Sequence, residues 1–361
     1  MPDKTIQVNR FNSPEEFHLW WESPEITQVH QAQPGLLEEH PMVKPWLDGS
    51  DKPAPEFIDG FGRYRVLKKL GQGGMGTVYL AVDPVLDRQV ALKVTPLEGI
   101  EATARFMREV RSAAKLKHPN IVQVYEVGTQ GKFHYFTMEY IDGSSLEGFI
   151  DGNKLSPMRI AGIICDIASA LHYAHGQGII HRDIKPGNIL IDSQGKPYLT
   201  DFGLAKELAM SGRSLTMSGT VLGTPDYMSP EQARGESGRI DARSDIFSLG
   251  ATLYYCLTGL SPFKDSDLYQ VLNRVINKEP VLPTKTIRNL HRDLETICMK
   301  CLEKEPSRRY QTAQELADDL KRFIEGETIK ARRSGLITKL IKKARRNKPA
   351  AFAMLGAALI L

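Results

Sequence analysis

The chain has 361 residues, of which 41% are hydrophobic and 25% are charged, and its formal net charge is +4. This balance is typical of a globular protein and excludes wholesale disorder. Four cysteines in this length exclude a small disulfide-stapled scaffold and are typical of a reducing compartment.

The N-terminal segment, residues 1–60, is acidic, with eleven Asp and Glu against four Lys and Arg. It lacks a steady hydrophobic period, so we expect a partly ordered extension, with a short helix or a docking segment at 17–21 as the alternative. Residues 49–55 read as a linker. No basic start followed by an apolar run is present, so no secretory signal is predicted and the folded part is expected in the cytoplasm.

The predicted elements change in type along the chain. Residues 63–70, 77–82, 89–94 and 135–140 have strand patterns, with a glycine-rich run at 71–76 and a turn at 83–84. Residues 101–117 predict a helix, because Phe106, Val110 and Ala113 recur at helical spacing. Later residues are mainly helical, at 157–176, 242–259, 265–277, 293–302 and 312–325. Strands first and helices afterwards favour an α+β fold with a small sheet lobe and a larger helical lobe.

The glycine-rich run has the spacing Gly71-x-Gly73-x-x-Gly76. That spacing alone also occurs in dinucleotide-binding folds and in ordinary hairpin turns. Here a strand follows rather than a helix, which indicates a hairpin whose backbone N–H groups can approach phosphate oxygens.

A lysine and a glutamate are candidates for phosphate binding. Strand alternation places Lys93 on the same face as Ala91, and Glu109 lies beside the inward stripe of its predicted helix. We expect Lys93 and Glu109 to pair and to orient the lysine toward phosphates. The alternative is a lysine and a glutamate that face solvent.

The segment 181–188, with the sequence His-Arg-Asp-Ile-Lys-Pro-Gly-Asn, is the strongest signal in the chain. Phosphoryl transfer needs a carboxylate that orients the attacking hydroxyl, a cation on the phosphates and oxygen ligands for a hard metal ion. Asp183 suits the first role, Lys185 the second and Asn188 the third. Asp201 follows 13 residues after Asn188 in an Asp-Phe-Gly motif and is the second candidate metal ligand.

In order and spacing these motifs resemble the eukaryotic-type (Hanks-type) serine/threonine protein kinase family, and within it the bacterial transmembrane branch. The resemblance covers residues 64–323 and implies a two-lobed kinase fold. It implies a small antiparallel-sheet N-lobe with one main helix at 64–138, a hinge at 139–142 and a larger, mostly helical C-lobe at 143–323. The implied reaction is transfer of the ATP γ-phosphate to Ser or Thr hydroxyls of protein substrates, with Mg²⁺ as the cofactor or Mn²⁺ in its place.

The resemblance also implies roles for individual residues, with Met138 as the gatekeeper beside the adenine site. The implied catalytic residues are Asp183, Lys185, Lys93 and Glu109, and the implied metal ligands are Asn188 and Asp201. The implied nucleotide-binding residues are Leu70, Gly71, Gln72, Gly73, Gly74, Met75, Gly76, Val78, Ala91, Lys93, Met138, Glu139, Ile141 and Leu190.

The activation segment carries the implied regulatory features. Thr216 and Ser218 resemble the autophosphorylation pair that Arg182 grips in the family; the alternative is a set of solvated loop hydroxyls. The family's Ala-Pro-Glu is Ser-Pro-Glu at 229–231, and Glu231 is still expected to pair with Arg309. Asp245 is expected to brace the catalytic loop.

The C-terminal part is read as a basic juxtamembrane segment, 324–348, followed by the start of a transmembrane helix, 349–361. Residues 330–348 hold nine Lys and Arg, and the next thirteen residues hold no charge. A single apolar run of thirteen is shorter than the roughly 20 residues that span a bilayer, so an amphipathic lipid-touching tail is the alternative. We expect the kinase domain at the inner face of the cell membrane and no nucleic-acid partner; the family also allows a homodimer.

Other patterns in the chain have alternative interpretations. Cys298 and Cys301 have redox or zinc-like spacing but are expected to be core residues. Of the neighbouring histidines 172, 175 and 181, only His181 has an implied role, which is structural. The two competing functions are an inactive kinase-like scaffold, which would need a broken catalytic residue, and a small-molecule kinase, which would usually lack a full activation segment.

Overall fold

The computed structural model describes residues 60–73, 76–96, 99–152, 155–202 and 225–332, together with Trp21, Ser23 and Ile26. The chain divides into two compact units, Met1–Val66 and Leu67–Leu361. Several predictions concern residues outside the described ranges: Gly74, Met75, Thr216, Ser218, the linker 49–55, the apolar segment 349–361, and most of the N-terminal segment 1–60 and of the basic segment 324–348.

In the first unit, a tight hairpin joins Gly60–Phe61 (β1) to the start of Tyr64–Gly73 (β2). Phe61 lies opposite Tyr64 in the antiparallel register, and both side chains are buried. Gly62 has a φ of 57° in the turn, a conformation that glycine adopts without steric cost. The Arg63 guanidinium lies 5.0 Å from the centroid of the Tyr64 ring. An aromatic cross-strand pair therefore closes this hairpin.

In the second unit, the N-lobe sheet places the phosphate-binding candidates. Its strand order is β2, β3 (Gly76–Asp83), β4 (Arg88–Pro96), β6 (Phe133–Glu139) and β5 (Val124–Gln130). The register sets Val78 opposite Lys93 and Ala91 opposite Met138. Because alternate residues of a strand share a face, Lys93 and Ala91 point to the same side of β4.

A single helix of the N-lobe, Ile100–Ala113 (α1), packs on this sheet. Phe106 and Val110 are buried and form one apolar cluster with Phe136 of β6 and Val122. The predicted stripe is therefore confirmed, but α1 ends at Ala113 rather than at residue 117. The chain turns there, where the Leu116 N–H donates to the Ala113 carbonyl at 3.0 Å.

The catalytic loop connects the C-lobe helices to a small three-stranded sheet. This sheet has the order β7 (Gly143–Ser145), β8 (Ile189–Asp192) and β9 (Pro197–Leu199). Helix α2 (Leu146–Gly152) follows β7, and a 3₁₀ turn, Pro186–Asn188, leads into β8. The loop therefore enters the sheet through a turn that begins with proline, the residue that best fits the first position of a helical turn.

The C-lobe core is built on α3 (Pro157–Gly176), which packs against two later helices, Ala242–Thr258 and Ala313–Glu325. Its N-cap, Ser156, accepts a hydrogen bond from the Arg159 N–H, and proline follows at the first helical position. The other helices described are α4 (Pro230–Ala233), α5 (Ala242–Thr258), α6 (Leu268–Asn277), α7 (Pro283–Thr286), α8 (Arg292–Cys301) and α9 (Ala313–Glu325).

Helix α6 begins three residues later than predicted. The Asp267 side chain accepts from the Tyr269 N–H at 3.2 Å and so caps the helix before Leu268. An aspartate at this position competes with helix continuation and favours a helix start.

The two cysteines of α8 are confirmed as core residues. Cys298 and Cys301 are both 0% exposed, and burial raises the pKa of the Cys301 thiol to about 12. Such thiols stay protonated and unreactive at neutral pH.

Among the described residues, no helix combines the length and apolar character needed to cross a membrane.

Candidate active site

The carboxylate of Asp183 is held by its own loop. The Lys185 ammonium donates to Asp183 Oδ2 at 2.9 Å, and the Asn188 amide donates to the same oxygen at 3.0 Å. The Asn188 amide also donates to the Asp183 carbonyl at 2.8 Å. Asp183 is 8% exposed. The structure therefore brings the three residues predicted for catalysis, phosphate contact and metal binding into one hydrogen-bonded group.

His181 links the catalytic loop to the segment before Asp201. Its Nδ1 accepts from the Asp183 N–H at 3.2 Å, so the proton is on Nε2, which donates to the Thr200 carbonyl at 2.9 Å. The ring also lies 4.6 Å from the ring of Phe202, between centroids. Burial lowers the pKa of His181, against the opposing effect of the Asp245 carboxylate. A neutral histidine thus has a structural role here, as expected.

Asp245 of α5 braces the catalytic loop, which confirms that prediction. Its two carboxylate oxygens accept from the backbone N–H groups of His181 at 2.8 Å and of Arg182 at 2.7 Å. His175, to which the sequence assigns no role, also contacts this aspartate, since its Nε2 lies 2.8 Å from Asp245 Oδ2. The feature that could have indicated this contact is the position of His175 on α3, directly after the fully buried Ala174.

Lys93 forms an ion pair with Asp201. The Lys93 Nζ lies 2.6 Å from Asp201 Oδ1, and the two side chains are 9% and 27% exposed. In the part of the chain that the structure describes, this ion pair takes the place of the expected Lys93–Glu109 pair. Asp201 follows Thr200, whose N–H donates to the Asn188 carbonyl. This hydrogen bond keeps Asp201, the partner of Lys93, beside the catalytic loop.

Five of the residues predicted to bind the nucleotide lie together in the N-lobe apolar cluster. Ala91 and Met138 are buried in it, and Val78, Ile141 and Leu190 pack against it while staying partly exposed. These five come from β3, β4, β6, the hinge and β8. An apolar group that is partly exposed at its edge has the character of a ligand pocket wall.

The hinge backbone follows this cluster. The Glu139 N–H donates to the Gln123 carbonyl at 2.9 Å, and the Asp142 carbonyl accepts from the Ser193 N–H at 3.2 Å. These bonds attach the hinge at both ends to neighbouring segments of the chain.

The glycine loop is formed by the ends of β2 and β3. Gly76 has a φ of 132°, and a side chain there would collide with the Val94 carbonyl of β4. Gly71 and Gly73 have open space at the Cβ position, so their side is accessible to a ligand. Leu70 is 41% exposed, and Gln72 accepts a hydrogen bond from Lys69.

The end of the activation segment is anchored by a buried ion pair, as predicted. Glu231 accepts from Arg309 Nη1 at 2.7 Å and Nη2 at 2.8 Å, and the side chains are 3% and 0% exposed. Burial alone would raise the pKa of Glu231, but the Arg309 bonds and the Ser244 hydroxyl outweigh it and lower that pKa. The Ser244 Oγ donates to Glu231 Oε1 at 2.6 Å.

Asn188 and Asp201 fit a magnesium ion by the chemistry of their oxygen donors. The Asn188 nitrogen is used in bonds to Asp183, which leaves its amide oxygen as the group available to a cation. Mg²⁺ is usually bound by one or two side-chain oxygens together with water and phosphate oxygens. Within the described ranges no group of three or more His, Cys, Asp or Glu is placed to hold a metal.

The comparisons with known proteins agree with this geometry. Residues 64–320 match the family model described as "Protein kinase domain". The chain is 42% identical over 277 residues to the serine/threonine-protein kinase PknB of Mycobacterium tuberculosis, covering 74% of this chain and 44% of that protein. It is 39% identical over 276 residues to the serine/threonine-protein kinase PrkC of Bacillus subtilis, covering 75% of this chain and 42% of that protein.

A solved structure gives the same result for the fold. The kinase domain of Mycobacterium tuberculosis PknI, crystallised as a double mutant, matches with a TM-score of 0.60 and 26% sequence identity, covering 73% of this chain and 97% of that one. The chain spans less than half the length of the curated relatives it matches. The chain belongs to the protein kinase domain family and is similar to its bacterial serine/threonine kinases.

Proposed function

We propose that this protein is a serine/threonine protein kinase that transfers the ATP γ-phosphate to hydroxyls of protein substrates. The hydrogen-bonded group of Asp183, Lys185 and Asn188 is the observation that carries the proposal. A carboxylate fixed beside an ammonium and an amide can orient a substrate hydroxyl and accept its proton. Lys185 and Lys93 offer positive charge to the phosphates.

Asn188 and Asp201 would hold Mg²⁺, or Mn²⁺ in its place. When bound, the ion neutralises charge on the phosphates. The pair of Lys93 with Asp201 supports this arrangement, because it keeps the lysine and a metal ligand together at 2.6 Å. We also propose that Lys93 pairs with Glu109 in the active state, where Glu109 would orient the lysine toward the α- and β-phosphates.

The test is autophosphorylation of the full chain with Mg-ATP. We expect phosphate on the wild type and none on Asp183→Asn, while Asp318→Asn, a matched change on α9, behaves as the wild type. If the protein binds ATP but transfers phosphate neither to its own chain nor to generic protein substrates, the result would favour the inactive scaffold. Phosphate transfer to small metabolites alone would favour a small-molecule kinase.

The same experiment addresses regulation through the activation segment. We propose Thr216 and Ser218 as autophosphorylation sites whose phosphates bind Arg182 and order the segment. Mass spectrometry of the wild type should find phosphate there. An active enzyme of unmodified mass would contradict this proposal.

We further propose that the basic segment and residues 349–361 attach the protein to the cell membrane, with the kinase domain at its inner face. The charge pattern of the sequence supports this. Membrane fractionation should show the full chain in the membrane pellet and a chain lacking 349–361 in the soluble fraction. Equal partition of both would exclude the anchor.

A homodimer is a further proposal, which sedimentation of the full chain would test.

A further inference from the structure

The backbone of Arg182, directly before the proposed catalytic base, is held from two sides. Arg182 has a φ of 66°, the left-handed region that is unfavourable for residues other than glycine. Its N–H donates to Asp245 Oδ1 at 2.7 Å, and its carbonyl accepts from Gln232 Nε2 at 2.8 Å. A strained residue persists only where its surroundings over-determine it. These two bonds supply that constraint.

Gln232 uses both ends of its side-chain amide. Its Oε1 accepts from the backbone N–H of Ser229 at 3.0 Å, and the Gln232 N–H donates to Ser229 Oγ at 3.4 Å, so these two bonds form the capping box of α4. The Ser229 hydroxyl also donates to Oε1 at 3.1 Å. The Gln232 Nε2 donates to the Arg182 carbonyl, 50 residues away in sequence. Gln232 is 6% exposed. One buried amide therefore joins the end of the activation segment to the catalytic loop.

The position of this amide is itself fixed. Gln232 follows Glu231, which Arg309 and Ser244 hold in the C-lobe core. Glutamate at 232 would still accept from Ser229 but would lack the donor for the Arg182 carbonyl. Methionine would match the length of the side chain without either polar group.

We propose that Gln232 is a positioning residue for phosphoryl transfer: it holds the left-handed Arg182 peptide and so aligns Asp183 when the activation segment is in place. The kinetic part of this inference rests on the proposed kinase function. The Gln232 Oε1 makes the capping bond and the Nε2 makes the bond to the catalytic loop. The two bonds can therefore be removed by different substitutions, which makes the proposal testable.

The variants are Gln232→Glu and Gln232→Met, compared with Ser229→Ala and Gln270→Glu in the full chain. Gln232→Glu keeps the acceptor of the capping box and removes the donor to Arg182, whereas Ser229→Ala weakens the capping box and keeps that donor. Gln270 is exposed on α6 and provides the same chemical change elsewhere. The measurements are kcat, the KM for ATP, the unfolding temperature and amide hydrogen exchange of residues 179–188.

For Gln232→Glu and Gln232→Met we expect kcat to fall about tenfold or more, since small misplacements of reacting groups have effects of that size. The KM for ATP should stay near the wild-type value, and exchange at residues 179–188 should accelerate. Ser229→Ala should lower the unfolding temperature with kcat close to wild type, and Gln270→Glu should match the wild type in all measurements.

Two results would overturn the inference: unchanged exchange and kcat in both Gln232 variants, or kcat losses in all variants that simply follow their unfolding temperatures. The exchange measurement does not depend on enzymatic activity. An inactive wild type with accelerated exchange in the Gln232 variants would therefore contradict the proposed function and leave the positioning role supported.

Discussion

Replacing Arg309 with methionine should destabilise the C-lobe strongly. The Arg309–Glu231 pair is almost fully buried, with exposed fractions of 0% and 3%, and the guanidinium also donates to the Glu303, Lys304 and Arg243 carbonyls. Arg309→Met would leave a buried carboxylate without its cation. Breaking a buried pair in this way costs about 3–5 kcal/mol.

Thermal unfolding of the full chain is the assay. One kcal/mol lowers the unfolding temperature by roughly 2–4 °C in a domain of this size, so we expect a decrease of about 6–20 °C. Arg309→Lys should lose less, because it keeps the charge but not the two parallel hydrogen bonds. Glu231→Gln in the Arg309→Met background should recover part of the loss by removing the uncompensated charge.

The matched control is the exposed pair of Arg239 with Glu236, at 3.4 Å and with Arg239 77% exposed. Arg239→Met should change the unfolding free energy by less than about 1 kcal/mol. If Arg309→Met behaves like Arg239→Met, the reasoning from burial is wrong.

Two further predictions concern the glycine loop of the N-lobe and the buried His181. Gly76→Ala should weaken ATP binding in a calorimetric titration and lower the unfolding temperature, because the positive φ and the approach of the Val94 carbonyl leave no room for a methyl group. The control is Gly238→Ala, which lies outside the glycine loop and has open space at its Cβ position. His181 should titrate below the ordinary value of 6.5 in an NMR titration, since burial lowers its folded-state pKa. Its contribution to stability should then be complete above pH 6.5 and be lost as the pH falls from 6.5 through the folded-state pKa, because the unfolded chain binds the proton first; a midpoint at or above 6.5 would contradict this.

The local patterns predicted most of the elements and the residue types of the site. Helix α3 was predicted with the bounds that it has, because proline and a serine cap mark its start and its apolar period is long. The predicted end of α1 and the predicted start of α6 differ from the observed positions, Ala113 and Leu268. A turn after Ala113 and the Asp267 cap before Leu268 set these boundaries more strongly than the hydrophobic period does. The expected bonds of Glu231 with Arg309 and of Asp245 with the catalytic loop were also present.

The fold class, the order of the motifs and the chemical character of Asp183, Lys185 and Asn188 can be predicted from the residues alone, since these depend on spacing within short segments. Which groups meet across long separations follows from the packing of the folded chain. Lys93 pairs with Asp201, 108 residues away, and the Gln232 amide reaches the Arg182 carbonyl, 50 residues away. The physical reason is that a lysine or a buried amide can be satisfied by several partners of suitable chemistry, and the packing of the helices and strands alone determines which one lies within hydrogen-bond distance.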